Sequence, residues 1–305
     1  MLSVRARMIN GVLRVARWVG ADRRADAALA DRASLDRLLR TVRRFDAVDP
    51  PRRLRRRWRH EQLAVAGSAL HLLERDAGGP RRVLLYFHGG GYMVGPAKMH
   101  WKAAAEVARG GRADLAMLIY PKTPEHDHRA TIAAAVEAYE LLVSRYGSDN
   151  VVVGGDSAGG GLVATLLSVL RERGVDQPRA AILISPWLDV SMSDPASRAQ
   201  ADTDLMLTIE GAIAAGRYYA ADRATTDALV SPRFAATSGF APMHLFVGTE
   251  EIFLADCLGY AEKARANGDP VTLRVMAKGQ HVAAIFSTPE GRIARAQMLA
   301  LIDWP

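Results

Sequence analysis

Residues 150–161 read NVVVGGDSAGGG and constrain the fold more than any other stretch of the chain. Val151, Val152 and Val153 form a short apolar run of the kind that becomes a buried strand. Gly155-Asp156-Ser157-Ala158-Gly159 follows at once. Leu162, Val163, Leu166, Leu167, Val169 and Leu170 then recur at helical spacing. A strand, a tight Gly-x-Ser-x-Gly turn and a helix are what a nucleophile elbow requires. The glycines let strand and helix approach each other, and the serine hydroxyl is lifted to the carboxyl edge of a sheet. A five-residue pattern alone is weak, so its neighbours must carry the argument.

Those neighbours alternate. The pattern predicts strands at 62–67, 69–74, 83–87, 115–120, 180–184, 243–247 and 271–275. It predicts helices at 101–109, 130–145, 254–267 and 289–301. Gly78-Gly79-Pro80 reads as a turn. Residues 83–87 (VLLYF) are apolar throughout, as in a strand covered on both faces. Repeated strand–helix alternation implies an α/β class with a mostly parallel sheet and helices on both faces. The rhythm breaks over 189–234, rich in Ser, Asp and Ala, with one helix expected at 209–219; such a segment suits a pocket rim.

Ahead of the alternating region lies a different texture. Residues 1–60 hold 17 arginines and 6 acidic residues, so this segment carries the excess positive charge of a chain whose net charge is +7. Leu2, Val4, Met8, Ile9, Val12, Leu13, Val15 and Val19 alternate with arginines and predict a basic amphipathic helix over 2–19. Packing on the body is the favoured reading of its apolar face, and peripheral contact with an anionic membrane is the other. A second helix is expected at 34–45, ended by Pro50-Pro51, and the basic cluster at 52–59 reads as a solvated face. With no zinc spacing or RNA-binding signature, nucleic acid is not an expected partner.

One cysteine, Cys257, excludes an internal disulfide. No apolar run reaches membrane-spanning length, and Arg5, Arg7, Arg14 and Arg17 interrupt any secretory core, so a cytoplasmic protein is expected. The division expected is a helical N-terminal cap segment, 1–60 with part of 189–235, and a catalytic domain, 61–305.

A serine hydroxyl needs a base to take its proton and an acid to orient that base. Of eight histidines, His281 follows the last predicted strand and precedes the last helix, where it can face the elbow. Glu250 and Glu251 come directly after the strand at 243–247, and either can supply the acid. Serine, acid and histidine then occur in the chain order of α/β hydrolases. The loop Gly89-Gly90-Gly91 offers backbone N–H donors for a developing oxyanion, joined by Ala158 at a helix N-terminus. It lacks the Lys-Ser/Thr of a phosphate loop.

The pairing of HGGG at 88–91 with GDSAGG at 155–160 resembles the hormone-sensitive-lipase-like, or bacterial family IV, esterases of the α/β-hydrolase superfamily. The likeness extends over Pro124-Glu125-His126, Ser185-Pro186-Trp187, 204–208 (DLMLT), Ser231-Pro232 and His281-Val282. It spans residue 61 to the C-terminus. The resemblance implies a serine carboxylesterase acting on small esters of short to medium acyl chain, without metal or cofactor. It implies Ser157 as nucleophile, His281 as base and then acid, and Gly89, Gly90 and Ala158 as oxyanion donors. His88, Gly91 and Asp156 would shape the loops. Relatives often pair through an edge strand, which implies a homodimer. The sequence departs from the family in Gly248-Thr249-Glu250-Glu251-Ile252, where Asp-Pro-Leu is usual. Members with glutamate at the same place pick Glu251, with Glu250 as the fallback. A second departure, Tyr120-Pro121-Lys122-Thr123-Pro124, is more polar than the usual Arg-Leu-Ala. Amidase, deacetylase or lactonase chemistry uses the same triad. A ligand-binding role without turnover fits poorly with the histidine retained.

Overall fold

The computed structural model describes residues 2–18, 21–75 and 82–302. The turn expected at 78–80, and Val19, lie outside the described residues. Three helices open the chain: α1 (Val4–Trp18), α2 (Ala21–Ala28) and α3 (Arg32–Val42), followed by a short α4 (Arg52–Arg55). The remaining elements alternate as the sequence implies: β1 (Arg59–Val65), β2 (Ser68–Glu74), β3 (Val83–Phe87), α5 (Lys98–Gly110), β4 (Asp114–Ile119), α6 (His128–Tyr146), β5 (Val151–Asp156) and α7 (Ala158–Glu172). Then come β6 (Ala180–Ile184), α8 (Ile209–Ala220), β7 (Met243–Gly248), α9 (Leu254–Ala266), β8 (Val271–Met276) and α10 (Pro289–Ile302).

The eight strands form one sheet in the order β1-β2-β4-β3-β5-β6-β7-β8. The first two pairings, β1 with β2 and β2 with β4, are antiparallel, and the rest are parallel. Side chains along each central strand divide by period two. Val83, Leu85 and Phe87 pack under α6 and α7 on one face, while Leu84 and Tyr86 pack under α5 and α10 on the other. Both faces are therefore apolar, which is why these strands carry no polar alternation in sequence.

Chain order locates the site before any side chain is considered. From β3 the chain moves outward to β4, then crosses back over β3 to lay down β5 and continues the other way to β8. The loops after β3 and β5 consequently diverge at the carboxyl edge. A crevice at such a reversal is where open α/β sheets bind ligands.

Two elements depart from expectation. α2 was not legible because its sequence ADRRADAA has no large apolar side chain to mark a period. α1 forms, yet Val4, Met8, Val12 and Val15 point to solvent while Leu2, Ile9 and Leu13 are partly covered. Its apolar residues ring more of the helix than one contact with the body can cover.

Candidate active site

Ser157 sits at φ +55°, ψ −122°, between the last residue of β5 and the first of α7. For a non-glycine residue this conformation costs about 1–3 kcal/mol and persists only when the surroundings impose it. Here they do. The Ser157 N–H donates to the Ile184 carbonyl at 2.8 Å, and its carbonyl accepts from Gly161 N at 3.0 Å and Trp187 N at 2.9 Å. Gly159 allows the helix to lie against β3, since a Cβ there would fall 2.0 Å from the Phe87 carbonyl oxygen.

His281 follows β8 and brings Nε2 to 2.9 Å from Ser157 Oγ, with Nδ1 2.8 Å from Glu251 Oε2. A carboxylate can only accept, so Nδ1 carries the proton and Nε2 is left as acceptor for the serine hydroxyl. The other oxygen of Glu251 accepts from the Gly248 N–H at 2.5 Å and the Ser185 hydroxyl at 2.8 Å; Ser185 Oγ in turn accepts from Val282 N–H at 3.0 Å. Burial would lower the pKa of His281, but the hydrogen bond and charge of Glu251 outweigh it and hold the ring above its ordinary 6.5. Burial raises Glu251 in the opposite sense, against the donors that surround it. Glu250 does not reach the histidine; it accepts from Gln280 Nε2 at 2.8 Å.

The glycine loop closes on the elbow from the β3 side. A Cβ at Gly89 would stand 3.1 Å from Ser157 Cβ, so the loop and Ser157 are in contact. Gly90 has φ +130°, a value closed to other residues, and Gly91 follows at +61°. Among the described residues no backbone carbonyl accepts from the N–H of Gly89, Gly90 or Ala158. His88 pairs through Nδ1 with the Gly89 carbonyl at 2.7 Å and stacks on Tyr120 at 4.3 Å, while the Tyr120 hydroxyl donates to the His88 carbonyl at 2.6 Å. Burial pushes the His88 pKa down to about 3, so the ring is neutral and Nδ1–H is the donor.

Beneath the elbow lies a buried pair that the sequence did not announce. Asp156 accepts from the Tyr86 hydroxyl at 2.8 Å and faces His100 Nε2 at 3.3 Å. His100 Nδ1 accepts from the Ala97 N–H at 2.8 Å. The Ala97 N–H occupies Nδ1, so the single ring proton sits on Nε2 and faces Asp156. Burial would raise the pKa of Asp156, but His100 and the Tyr86 hydroxyl outweigh it and hold the carboxyl below its ordinary value. His100→Leu should therefore cost about 3 kcal/mol at neutral pH, because a buried carboxylate loses that donor. Denaturant unfolding of both proteins checks this, and unchanged stability in the variant would exclude the contact.

Ser157 opens into a cavity of about 220 Å³ lined by Trp187, Phe253, Leu29, Leu207, Ala212 and Gly91, among others. The Phe253 ring stands at 84° to the His281 ring with centroids 5.1 Å apart, and Trp187 stacks on Phe253. Two other cavities, about 240 Å³ between α1 and α10 and about 430 Å³ beside α4, include none of Ser157, Glu251 and His281. The rim is tied down by Asp204, which is wholly buried. It accepts from Met206 and Leu207 N–H through one oxygen and from Ile252 N–H through the other. Across the rim, Thr208 Oγ1 donates to Asp26 at 2.8 Å, joining α8 to α2. Among the described residues no group of three His, Cys, Asp or Glu is placed to hold a metal ion, and no helix is long and apolar enough to cross a membrane.

A mostly parallel sheet with a serine turn after β5, a carboxylate after β7 and a histidine after β8 defines the class of α/β hydrolases. A family model of the alpha/beta hydrolase fold matches residues 84–285. An acetyl-hydrolase of Streptomyces hygroscopicus is 31% identical over 216 residues, 70% of this chain and 72% of that one. Among solved structures, EstE5 soaked with p-nitrophenyl butyrate has a TM-score of 0.79 at 29% identity, covering 88% of this chain and 90% of that one. The hormone-sensitive-lipase homologue EstE7 from a metagenome library gives 0.78 at 25% identity over 91% and 94%. The chain belongs to the hormone-sensitive-lipase-like, bacterial family IV esterases.

Ser185, His100, Tyr86 and Asp204 are the supporting residues that reading by motif left without a role. Only Ser185 and Asp204 had a signal, as members of matched motifs, and neither motif says what its side chain holds.

Proposed function

We propose that this carboxylic ester hydrolase works through an acyl-enzyme on Ser157. The observation that carries the reading is the continuous chain from Ser157 Oγ through both ring nitrogens of His281 to Glu251, with a tautomer that leaves Nε2 free to accept. As Oγ attacks the ester carbonyl, its proton passes to Nε2 and the carbonyl oxygen becomes an oxyanion. The N–H groups of Gly89, Gly90 and Ala158 receive it, each worth about 3 kcal/mol in the barrier by comparison with other such sites. The tetrahedral intermediate collapses, and the leaving alcohol takes the proton from Nε2. Water then attacks the acyl-serine, giving its proton to His281, and collapse releases the acid and restores the hydroxyl.

The substrate is a small ester of short to medium acyl length. A cavity of about 220 Å³ supports this, being below the range of roughly 300–1,000 Å³ usual for drug-sized ligands. The helices of residues 1–60, with part of 189–235, act as a cap. Ala25 and Leu29 from the first and Met206 and Leu207 from the second line one cavity, and the pairing of Thr208 with Asp26 joins them. Hydrolysis of p-nitrophenyl esters from acetate to laurate tests the size: kcat/KM should peak at or below the medium chains and fall steeply towards laurate. A maximum at laurate would overturn the proposed pocket.

A further inference from the structure

α1 has two apolar faces, and the body uses only one. Leu2, Ala6 and Ile9 line a groove against Ile293 of α10. Ser3 holds Glu290 through its N–H and hydroxyl, and the Arg17 guanidinium donates to the carbonyls of Ala201 and Asp204. The helix is thus anchored at both ends. On its opposite side Val4, Met8, Val12 and Val15 are 62%, 66%, 70% and 61% exposed. Their spacing of four, four and three residues makes one continuous stripe. By the same geometry Arg5 borders the stripe on one side and Arg7 and Arg14 on the other, and all three are exposed. The first acidic residue in the chain is Asp22.

We propose that α1 docks this protein on an anionic lipid bilayer, with Val4, Met8, Val12 and Val15 entering the acyl boundary and Arg5, Arg7 and Arg14 meeting acidic head groups. The composition of the face selects this occupant. A second copy of the chain would set arginine against arginine with no acidic side chain on the helix to offset them. A nucleic acid would neutralise the arginines and leave four apolar side chains without a partner. A bilayer with acidic head groups satisfies the stripe and its borders together. The same helix, through Arg17, holds the segment that delivers Met206 and Leu207 to the pocket, so docking places the cap at the lipid surface.

The test uses the full chain and sedimenting vesicles of phosphatidylcholine, with and without phosphatidylglycerol, at low and high salt. The wild-type protein should sediment with the acidic vesicles and be released by salt, since screening weakens the attraction. Replacing Arg5, Arg7 and Arg14 together by Gln should weaken partition by about 100-fold. Replacing Val4, Met8, Val12 and Val15 together by Gln should weaken it by about tenfold or more. Both variants should keep wild-type turnover of a water-soluble butyrate ester, because none of these positions lines the pocket at Ser157. Wild-type protein that stays in the supernatant with acidic vesicles overturns the proposal, as does equal binding to uncharged vesicles or a stripe variant that binds like wild type. A concentration-dependent dimer that the stripe variant loses, without vesicle binding, would give the face to a second copy instead. Vesicle binding is read apart from hydrolysis, so its failure leaves the esterase reading untouched.

Discussion

Ser157→Ala should yield a folded protein whose ester turnover is lower by about 10⁶-fold, a barrier increase of about 8 kcal/mol. The size follows from what is lost. Without Oγ there is no atom to form the acyl bond, and His281 then has nothing to deprotonate, so its contribution goes with the serine. The N–H groups of Gly89, Gly90 and Ala158 remain, as does the apolar pocket, and these alone leave a residual acceleration of about 10³–10⁴ over water in comparable hydrolases. Stability should change little. Alanine shares the cost of the left-handed conformation at φ +55°, and the backbone hydrogen bonds to Ile184, Gly161 and Trp187 do not involve the hydroxyl. The measurement is single-turnover hydrolysis of p-nitrophenyl acetate beside a thermal melt. Turnover within tenfold of wild type in a folded variant would move the chemistry to another residue.

The parts of this protein that were legible in sequence share one physical property: their constraints are local. Residues 83–87 and 180–184 are strands covered on both faces, so five consecutive apolar residues mark each of them. The elbow is a turn whose glycine demand comes from atoms a few residues away in sequence or one strand across the sheet. Roles that depend on distant packing were not legible. The residues alone leave Glu250 and Glu251 equal, and only the resemblance to the family picks Glu251 to face the histidine. The orientation is decided by the donors of Gly248 and Ser185, which take one oxygen of Glu251 and turn the other towards His281. His100 and Asp156 are joined only because α5 crosses beneath the elbow. The exposed stripe of α1 is a third case, since its composition promises burial and only the shape of the body denies it.

Glu251→Gln should lower the plateau of kcat/KM by about 10⁴-fold and move its acid limb to lower pH. The direction comes from the surroundings of the two carboxylate oxygens. Oε1 accepts from Gly248 N–H, a donor that cannot reverse, so the glutamine must keep its carbonyl there and turn its amide nitrogen towards His281 Nδ1. Nδ1 must then accept, the proton moves to Nε2, and the ring can no longer take one from Ser157. The pH shift has a separate cause. In the wild-type protein Glu251 holds the His281 pKa above 6.5 against burial, so activity falls as pH drops through that raised value. Without the charge, burial prevails, the ring stays neutral to lower pH, and the limb follows it. Glu250→Gln is the matching control: its carboxylate pairs with Gln280 and not with His281, so both plateau and limb should stay within about threefold of wild type. Equal losses in the two variants would remove Glu251 from the triad. An unmoved acid limb in Glu251→Gln would mean that another group sets the charge state of His281.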